Sequence, residues 1–499
     1  MTPRASFLSE LLLQKRNWSN DDPSADSMQR DLYAFIKSAI LGGTLTGGMQ
    51  LPPSRTLSKE LLVSRNTVVH AYDQLLAEGY ISATTGRGTF VAPVPHYQGR
   101  DQDTAGRAEP PARGGLSHRG SLLMIGHGAS DIQWGAFVSG VPDVSLFPHA
   151  IWQRLLARHW RNPTPHALTY SAGSGHPALR RALAEHLRVA RSVRCDSEQI
   201  VITAGIHQAI DVITRLLGDV GDQAWIEDPG YWGTRNVLVS NGLSIVPVPV
   251  DSQGMAPDDA MLNAEPPPKF IFTTPSHQYP LGTVMSLQRR LTLIDYAHRH
   301  GCWIVEDDYD SEFRFEGRPL ASLQGLDVHD CVIYTGTFSK TLFPGLRMGY
   351  MVLPPSLAKP AVTALSTLFR EGQLLQQAVL TDFIVEGHYA SHIRKMRQVY
   401  AHRHALLRAA ISDYLGPDWP VASHEAGLHL VLGLPDDADD VAICKELEKK
   451  EISVRPLSRY FDPATHARKG LLMGYACVED ASIRAGVRVV AAAFKEMLN

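Results

Sequence analysis

One lysine in this chain stands among residues that could do covalent chemistry. The segment Thr337–Arg347 reads T-F-S-K-T-L-F-P-G-L-R. Lys340 follows the small hydroxyl residues Thr337 and Ser339, and Arg347 comes seven positions later. A lysine amine can condense with an aldehyde to form a Schiff base, and hydroxyls with a guanidinium can hold a phosphate beside it. Alone, an S-K dipeptide is an ordinary surface feature. The segments upstream give it meaning.

Cys302–Glu306 (C-W-I-V-E) is a short apolar run ending in Asp307, Asp308, Tyr309 and Asp310. It reads as a buried parallel strand whose C-terminal end carries acids and a phenol, the end at which open α/β sheets bind ligands. An aspartate there can pair with a protonated pyridine nitrogen, and Tyr309 can hydrogen-bond a phenolic oxygen on the same ring. Ile200–Thr203 is another β-branched strand; it runs into Ala204-Gly205-Ile206-His207-Gln208 and a helical pattern over Ala209–Leu217. A strand, a small-residue turn and a helix N-terminus offer free N–H groups and a helix dipole to an anion. Trp225–Tyr231 ends in a Pro-Gly turn that presents Tyr231 for stacking on a flat ring. These groups answer the aldehyde, phosphate, pyridine nitrogen and phenolic oxygen of pyridoxal 5'-phosphate (PLP).

In this order the pieces resemble the large domain of the fold-type I aminotransferases, over roughly residues 135–499. The resemblance implies an internal aldimine on Lys340, with Asp307 on the pyridinium and Tyr309 on the phenolic oxygen. It implies a phosphate site at Gly205, Ile206, His207, Thr337, Ser339 and Arg347, and Tyr231 stacked on the ring. Two departures stand out. Where such enzymes carry Asn-Pro-x-Gly, this chain has Tyr279-Pro280-Leu281-Gly282, which removes a ring contact, and His277 and Gln278 are the candidates to substitute for it. Where they carry a carboxylate-binding arginine on a late strand, the run Leu471–Tyr475 has Leu472. Arg459, and after it Arg455, are the candidates to hold an effector carboxylate instead.

The first ninety residues have a different character. Leu51-Pro52-Pro53-Ser54-Arg55-Thr56-Leu57 opens a helix, with Ser54 as its cap and Leu57 and Leu61 on one face. After a break at Leu62-Val63, Ser64 caps a second helix, Arg65–Glu78, with Val68, Tyr72, Leu75 and Leu76 as its apolar stripe. This is helix-turn-helix spacing, and Ser64, Arg65, Asn66 and Thr67 stand where a recognition helix touches bases and phosphates. Tyr80–Ala83 and Thr89–Val91 read as two strands around a wing tip that carries Arg87. Residues 54–91 hold four basic residues (Arg55, Lys59, Arg65, Arg87) against three acids, so the pattern speaks here and the charge does not. The pattern closely resembles the winged helix-turn-helix of GntR-type regulators over residues 28–92.

The order and combination of the two halves resemble the MocR (GabR-like) subfamily of bacterial transcription regulators. The expected fold is multi-domain: a winged helix-turn-helix at 28–92, a Pro- and Gly-rich linker at 93–130 containing Arg100, Arg107, Arg113 and Arg119, and an α/β aminotransferase-like domain at 131–499 with a smaller subdomain from about 375. The resemblance implies double-stranded operator DNA and a small-molecule effector as partners, a homodimer, and PLP as cofactor. The effector is an amine, an amino acid or PLP itself. A catalytically active aminotransferase with an appended head is the competing reading; a GntR repressor whose second domain has lost its cofactor is a third.

Global properties agree. The net charge of −3 argues against indiscriminate binding of polyanions, so contact with DNA must be local. The five cysteines form no C-x-x-C pair and read as free thiols of a reducing compartment. The twenty-one histidines, with His166, His176, His207 and His277 near the cofactor face, show no metal-ligand spacing. Phe7–Leu13, interrupted by Glu10, makes no signal peptide, and no run reaches the ~18 apolar residues of a membrane span. A cytoplasmic protein is expected.

Overall fold

A computed structural model describes residues 25–93, 115–125, 132–170, 173–317, 320–370, 372–422 and 426–498. Two compact units, Met1–Gly114 and Gly115–Asn499, divide the chain. The boundary falls inside the expected linker. Most of that linker, with Arg100, Arg107 and Arg113, and the stretch Phe7–Leu13 lie outside the described residues. The linker's second half is not featureless: Leu122, Leu123 and Met124 belong to a helix, His118–Ile125, that packs on the helix Trp232–Asn241. Arg119 belongs to this helix rather than to a spacer, and its guanidinium lies 3.5 Å from the Ser240 carbonyl oxygen.

The first unit is built from α1 (Ala25–Leu41), β1 (Gln50–Leu51), α2 (Ser54–Leu61), α3 (Arg65–Ala77), β2 (Ile81–Thr84) and β3 (Gly88–Val91). Its strands form an antiparallel sheet in the order β1-β3-β2, with Ile81 opposite Val91 and Thr84 opposite Gly88. Leu32, Ile36, Leu57, Val68, Leu75 and Ile81 close the core between helices and sheet. Ser64 caps α3 as expected, its hydroxyl accepting the Thr67 N–H at 3.1 Å. Ser54 does not cap α2: Pro53 holds the cap position, and Ser54 is already the first helical residue. Leu62, left-handed at φ 56°, makes the turn between the two helices. The apolar stripe of α3 also sits one position off the expected one. Ala71 joins Val68, Tyr72 and Leu75 inside, whereas Leu76 is 44% exposed, because a position eight residues on lies at the edge of the stripe. Thr67, expected at the DNA surface, is buried at 1% exposure and hydrogen-bonds the Ser64 hydroxyl. Ser64, Arg65 and Asn66 are exposed, as are Arg55 and the wing-tip Arg87.

The second unit centres on an eight-stranded sheet of β4 (Ile200–Thr203), β5 (Gln223–Asp228), β6 (Ser244–Asp251), β7 (Gly254–Met255), β8 (Phe270–Thr273), β9 (Trp303–Asp308), β10 (Val332–Thr337) and β11 (Gly349–Val352). Their order is β4-β11-β10-β9-β8-β5-β6-β7. The run from β10 to β6 is parallel; β11 is antiparallel to both of its neighbours, and β7 to β6. The central strands read as unbroken apolar runs because both faces are covered. Trp225, Ile271, Ile304 and Val332 pack on the side of the helix Leu287–His300. Their successors Ile226, Phe272, Val305 and Ile333 pack on the side of Ile206–Leu217 and Pro355–Leu368.

A long helix, His388–Leu415, leads to a second, antiparallel sheet of β12 (Val421–Ala422), β13 (His429–Gly433), β14 (Arg455–Pro456) and β15 (Gly470–Gly474), in the order β12-β13-β15-β14. This smaller layer also takes in residues from the front of the unit, which its expected start near 375 did not include. Phe137 is fully buried in the same core, and its carbonyl accepts the Gly474 N–H at 2.9 Å.

Strand register brings the chemistry together. Thr335 lies opposite Asp307 across β10 and β9, Thr337 opposite Gly349, and Gly349 opposite Thr203. The ends of β4, β9 and β10 therefore meet at one sheet edge. Gly349 must be glycine for this, since a Cβ there would lie 2.8 Å from the Gly336 carbonyl oxygen and 3.0 Å from the Gly205 Cα.

Candidate cofactor and effector site

A cavity of about 270 Å³ opens at that edge. Lys340 lines it, and its amine donates to the Gly140 carbonyl at 2.7 Å. Burial lowers the lysine pKa, while Asp310 and Asp307 act in the opposite direction. A lowered pKa leaves more of the amine neutral and nucleophilic.

Asp307 faces the same cavity. Its Oδ1 is buried with no hydrogen-bond partner. Burial, reinforced by Asp308, Glu227 and Asp310, pushes this carboxyl up to about 7, with Lys340 opposing. The next residue points the other way, as strand alternation requires. Asp308 accepts from Arg191 Nε at 2.7 Å and from the Tyr334 hydroxyl at 2.6 Å. One acid is held through its Oδ2 in the interior, its Oδ1 unpaired, and its neighbour faces the cavity.

The anion end is built from backbone. Gly205, at φ 114°, stands at the N-terminus of the helix Ile206–Leu217, which has no side-chain cap, so its first N–H groups are open to a ligand. A Cβ at Gly205 would come within 3.9 Å of the Arg347 guanidinium. Thr337 and Ser339 line the same end, the Thr337 hydroxyl accepting the Ser339 N–H at 3.1 Å. His207 and Tyr231 pair by a 3.0 Å contact between Nε2 and the hydroxyl, with stacked rings 5.8 Å apart. Burial, then Arg347 and Lys340, lower the His207 pKa, so it stands neutral among the cations. Gly233 makes room for the pair; a Cβ there would lie 2.4 Å from His207 Nε2.

The remaining expected residues separate. Arg455 lines the cavity, while Arg459 is exposed and is not among the lining residues. Leu472 is fully buried among Leu281, Val431, Leu457 and Tyr460. Arg455 sits opposite Leu472 across β14 and β15, so the cation has moved to the neighbouring strand. Gln278 does not replace the missing asparagine. Its amide nitrogen reaches the Pro229 and Tyr279 carbonyls at 2.8 and 2.7 Å, and its oxygen accepts the Leu281 N–H. His277 is 3% exposed and is not a lining residue; it touches the Tyr309 hydroxyl at 3.1 Å. Sequence reasoning missed Gly140, Tyr279, Trp232 and His429, which also line the cavity. Only the Tyr279-Pro280 dipeptide, at the place of an expected Asn-Pro, carried a signal. Among the described residues no group of side chains could hold a metal ion, and no helix is long and apolar enough to cross a membrane. All five cysteines are free and buried.

Residues 28–91 match the family model of bacterial regulatory proteins of the gntR family, and residues 143–464 match that of class I and II aminotransferases. An archaeal alanine:glyoxylate aminotransferase structure is 26% identical, with a TM-score of 0.68 over 73% of this chain and 92% of that one. A Pyrococcus horikoshii kynurenine aminotransferase structure, in complex with PMP, is also 26% identical, with a TM-score of 0.66 over 75% and 93%. Fold and site thus define a fold-type I aminotransferase-like unit behind a gntR-type head. The chain is 41% identical over 479 residues, 95% of both chains, to the probable rhizopine catabolism regulatory protein MocR of Rhizobium meliloti. It is 30% identical to the pyridoxine biosynthesis transcriptional regulator PdxR of Corynebacterium glutamicum, over 92% of this chain and 94% of that one. It belongs to the MocR-type subfamily of gntR-family transcription regulators. The aminotransferase fold implies PLP, and the residues present fit it. The unpartnered Asp307 oxygen would suit a pyridinium N–H and the Gly205 turn a phosphate, and the Lys340 amine stands in the same cavity.

The open carboxylate carries a stability signature. The folded Asp307 carboxyl lies near 7, above its ordinary 3.8, so between those values the unfolded chain binds fewer protons. Its charge therefore costs stability that grows as pH rises through that window and is constant above it. Asp307→Asn is expected to stabilise the cofactor-free protein at pH 8 by about 1–3 kcal/mol. The gain should shrink toward pH 5. Thermal unfolding midpoints at the two pH values check this, and equal midpoints at pH 8 would mean that Asp307 already has a partner.

Proposed function

We propose that this regulator binds PLP through Lys340 and couples a primary amine, an amino acid or PLP itself to operator binding. The observation that carries the reading is one cavity holding a lysine amine of lowered pKa and a buried carboxylate oxygen without a partner. PLP, when bound, supplies a carbon that amines attack. The chain does the rest. The N–H groups at Ile206 and His207 hold phosphate with Thr337, Ser339 and Arg347; Asp307 holds the pyridine nitrogen; Tyr309 meets the phenolic oxygen. Tyr231, steadied by His207, covers the ring. Arg455 takes an anionic group of the effector.

The head reads DNA through the exposed N-terminus of α3, Ser64, Arg65 and Asn66, with Arg87 at the wing and Ser54 and Arg55 on α2 toward phosphates. An effector shifts operator affinity only as far as it binds the competing arrangements of a dimer unequally. The second reading, a working aminotransferase, draws on the intact Lys340, Asp307 and Tyr309. Leu472 weighs against it, because turnover needs the substrate carboxylate held in one pose.

Lys340→Ala should remain folded and lose the visible absorption of the bound cofactor. Borohydride reduction and peptide mapping should find the phosphopyridoxyl group on Lys340; finding it on another lysine overturns the assignment.

Arg65→Ala and Arg87→Ala should weaken operator binding by different routes. Loss of a base contact costs about 1–3 kcal/mol and relaxes preference at one position, whereas loss of a phosphate contact weakens all sequences and flattens the salt dependence. Operator titrations at several salt concentrations separate the two. Wild-type affinity in both variants would rule out this docking.

Arg455→Met should weaken binding of a carboxylate-bearing amine by about 1.5–3 kcal/mol, the scale of a hydrogen bond to a charged group, and leave a carboxylate-free amine nearly unaffected. Arg459→Met should change neither. Spectral titration with matched amines measures this, and an Arg459 effect as large as that of Arg455 would restore the order expected from sequence.

A further inference from the structure

We infer that His277 and Asp310 form a positioning pair that turns the Tyr309 hydroxyl proton toward the cavity. The inference rests on the PLP reading for the identity of the acceptor, the phenolic oxygen of the ring. It names how the chain compensates for the missing asparagine.

The geometry sets up a competition for one proton. His277 Nδ1 lies 3.0 and 3.2 Å from the two carboxylate oxygens of Asp310 and 3.1 Å from the Tyr309 hydroxyl. A ring nitrogen either carries a proton or offers a lone pair. A bare lone pair would face the Asp310 carboxylate at hydrogen-bond distance, which is repulsive. The favourable arrangement puts the proton on Nδ1, donated to Asp310 and shared with the Tyr309 oxygen. Tyr309 then cannot donate back to Nδ1. Its own proton is left for an acceptor in the cavity that Tyr309 lines.

The surroundings hold this arrangement. His277 is 3% exposed and Asp310 2%. Gly427, at φ 88°, lies flat against the imidazole, where a Cβ would come within 2.1 Å of the ring. Two other histidines face His277: His429 with its ring 5.7 Å away, and His404 on the helix His388–Leu415. Burial pushes them down to about 3 and about 4, so both are neutral near pH 7. His429 Nε2 is occupied by the Pro280 carbonyl at 3.0 Å. Burial raises the Asp310 pKa, while His277 first and then Lys340, from the loop after β10, act in the opposite direction and favour its charged form. Asp310 is thus the negative partner that orients the imidazole, and the imidazole orients the phenol.

A proton donated by Tyr309 to the ring's phenolic oxygen favours the ionised oxygen and lowers the pH at which the cofactor's visible band changes. Tyr309→Phe should raise that pH by about one unit, and His277→Leu by about half a unit, a scale of roughly 0.7 kcal/mol. In the Tyr309→Phe background, His277→Leu should add nothing, because the pair acts only through the phenol. Asp310→Asn keeps the shape of the site and should move the band the same way if His277→Leu does not fold. Full-length protein labelled with [15N]histidine and free of cofactor should show the His277 proton on Nδ1 by NMR. A proton on Nε2, an unmoved band in Asp310→Asn, or a His277→Leu shift that survives in Tyr309→Phe overturns the inference. Failure of the wild type to take up PLP sinks the cofactor reading alone, and the Nδ1 measurement still decides this one.

Discussion

A buried carboxylate oxygen with no partner is the constraint around which the aminotransferase-like unit is arranged. Asp307 Oδ1 has no donor from the protein, at the end of the central strand β9. Such a group is costly, and proteins keep one where a ligand will satisfy it. The neighbouring groups maintain the cost. Asp308 and Glu227 add negative charge, and Lys340, the nearby cation, points its amine at the Gly140 carbonyl rather than at the acid. An ion pair between Lys340 and Asp307 would close the site. Its absence leaves the amine available as a nucleophile and the acid available to a ring nitrogen.

The same reasoning bears on what the cavity does with a bound carboxylate. The fold matches enzymes, yet the strand position expected to carry a carboxylate clamp is a buried leucine in an apolar cluster. The available cation, Arg455, enters from the next strand among tyrosines whose pKa values burial raises. Tyr279 and Tyr460, with hydroxyls 3.2 Å apart, stay neutral donors there. A guanidinium displaced by one strand can bind an anion without giving the amine the approach that repeated proton transfer needs. Loss of rate with retention of binding is the expected result of moving such a clamp.

Much of the site was legible as linear signals. Lys340, Asp307, Tyr309, Gly205, Thr337 and Arg347 lie at strand ends or turns, where an apolar run stops abruptly at a polar residue, and all line one cavity. Residues that act through others left no such mark. His277 looked like a ring contact because it lies near Tyr279 in sequence, but its side chain goes under Tyr309 instead. Gln278 looked equally suitable and is consumed by the loop it holds. In the head, a serine followed by a polar turn marked both helices, yet only Ser64 caps, because Pro53 already occupies the cap position of the other.

Outside the linker helix His118–Ile125, the sequence by itself determined the main element types, the order of the two units and the identity of the groups at each strand end, because these follow from local periodicity and turn chemistry. The tertiary structure decided which of those groups meet. The antiparallel insertion of β11 between β4 and β10 brings the Gly205 turn to the lysine loop. The crossing of residues near Phe137 into the small sheet places Gly140 on Lys340. The pairing of β14 with β15 puts Arg455 in the cavity and leaves Arg459 outside. Each is a contact between residues far apart in the chain, and local periodicity carries no information about which distant strand a strand will pair with.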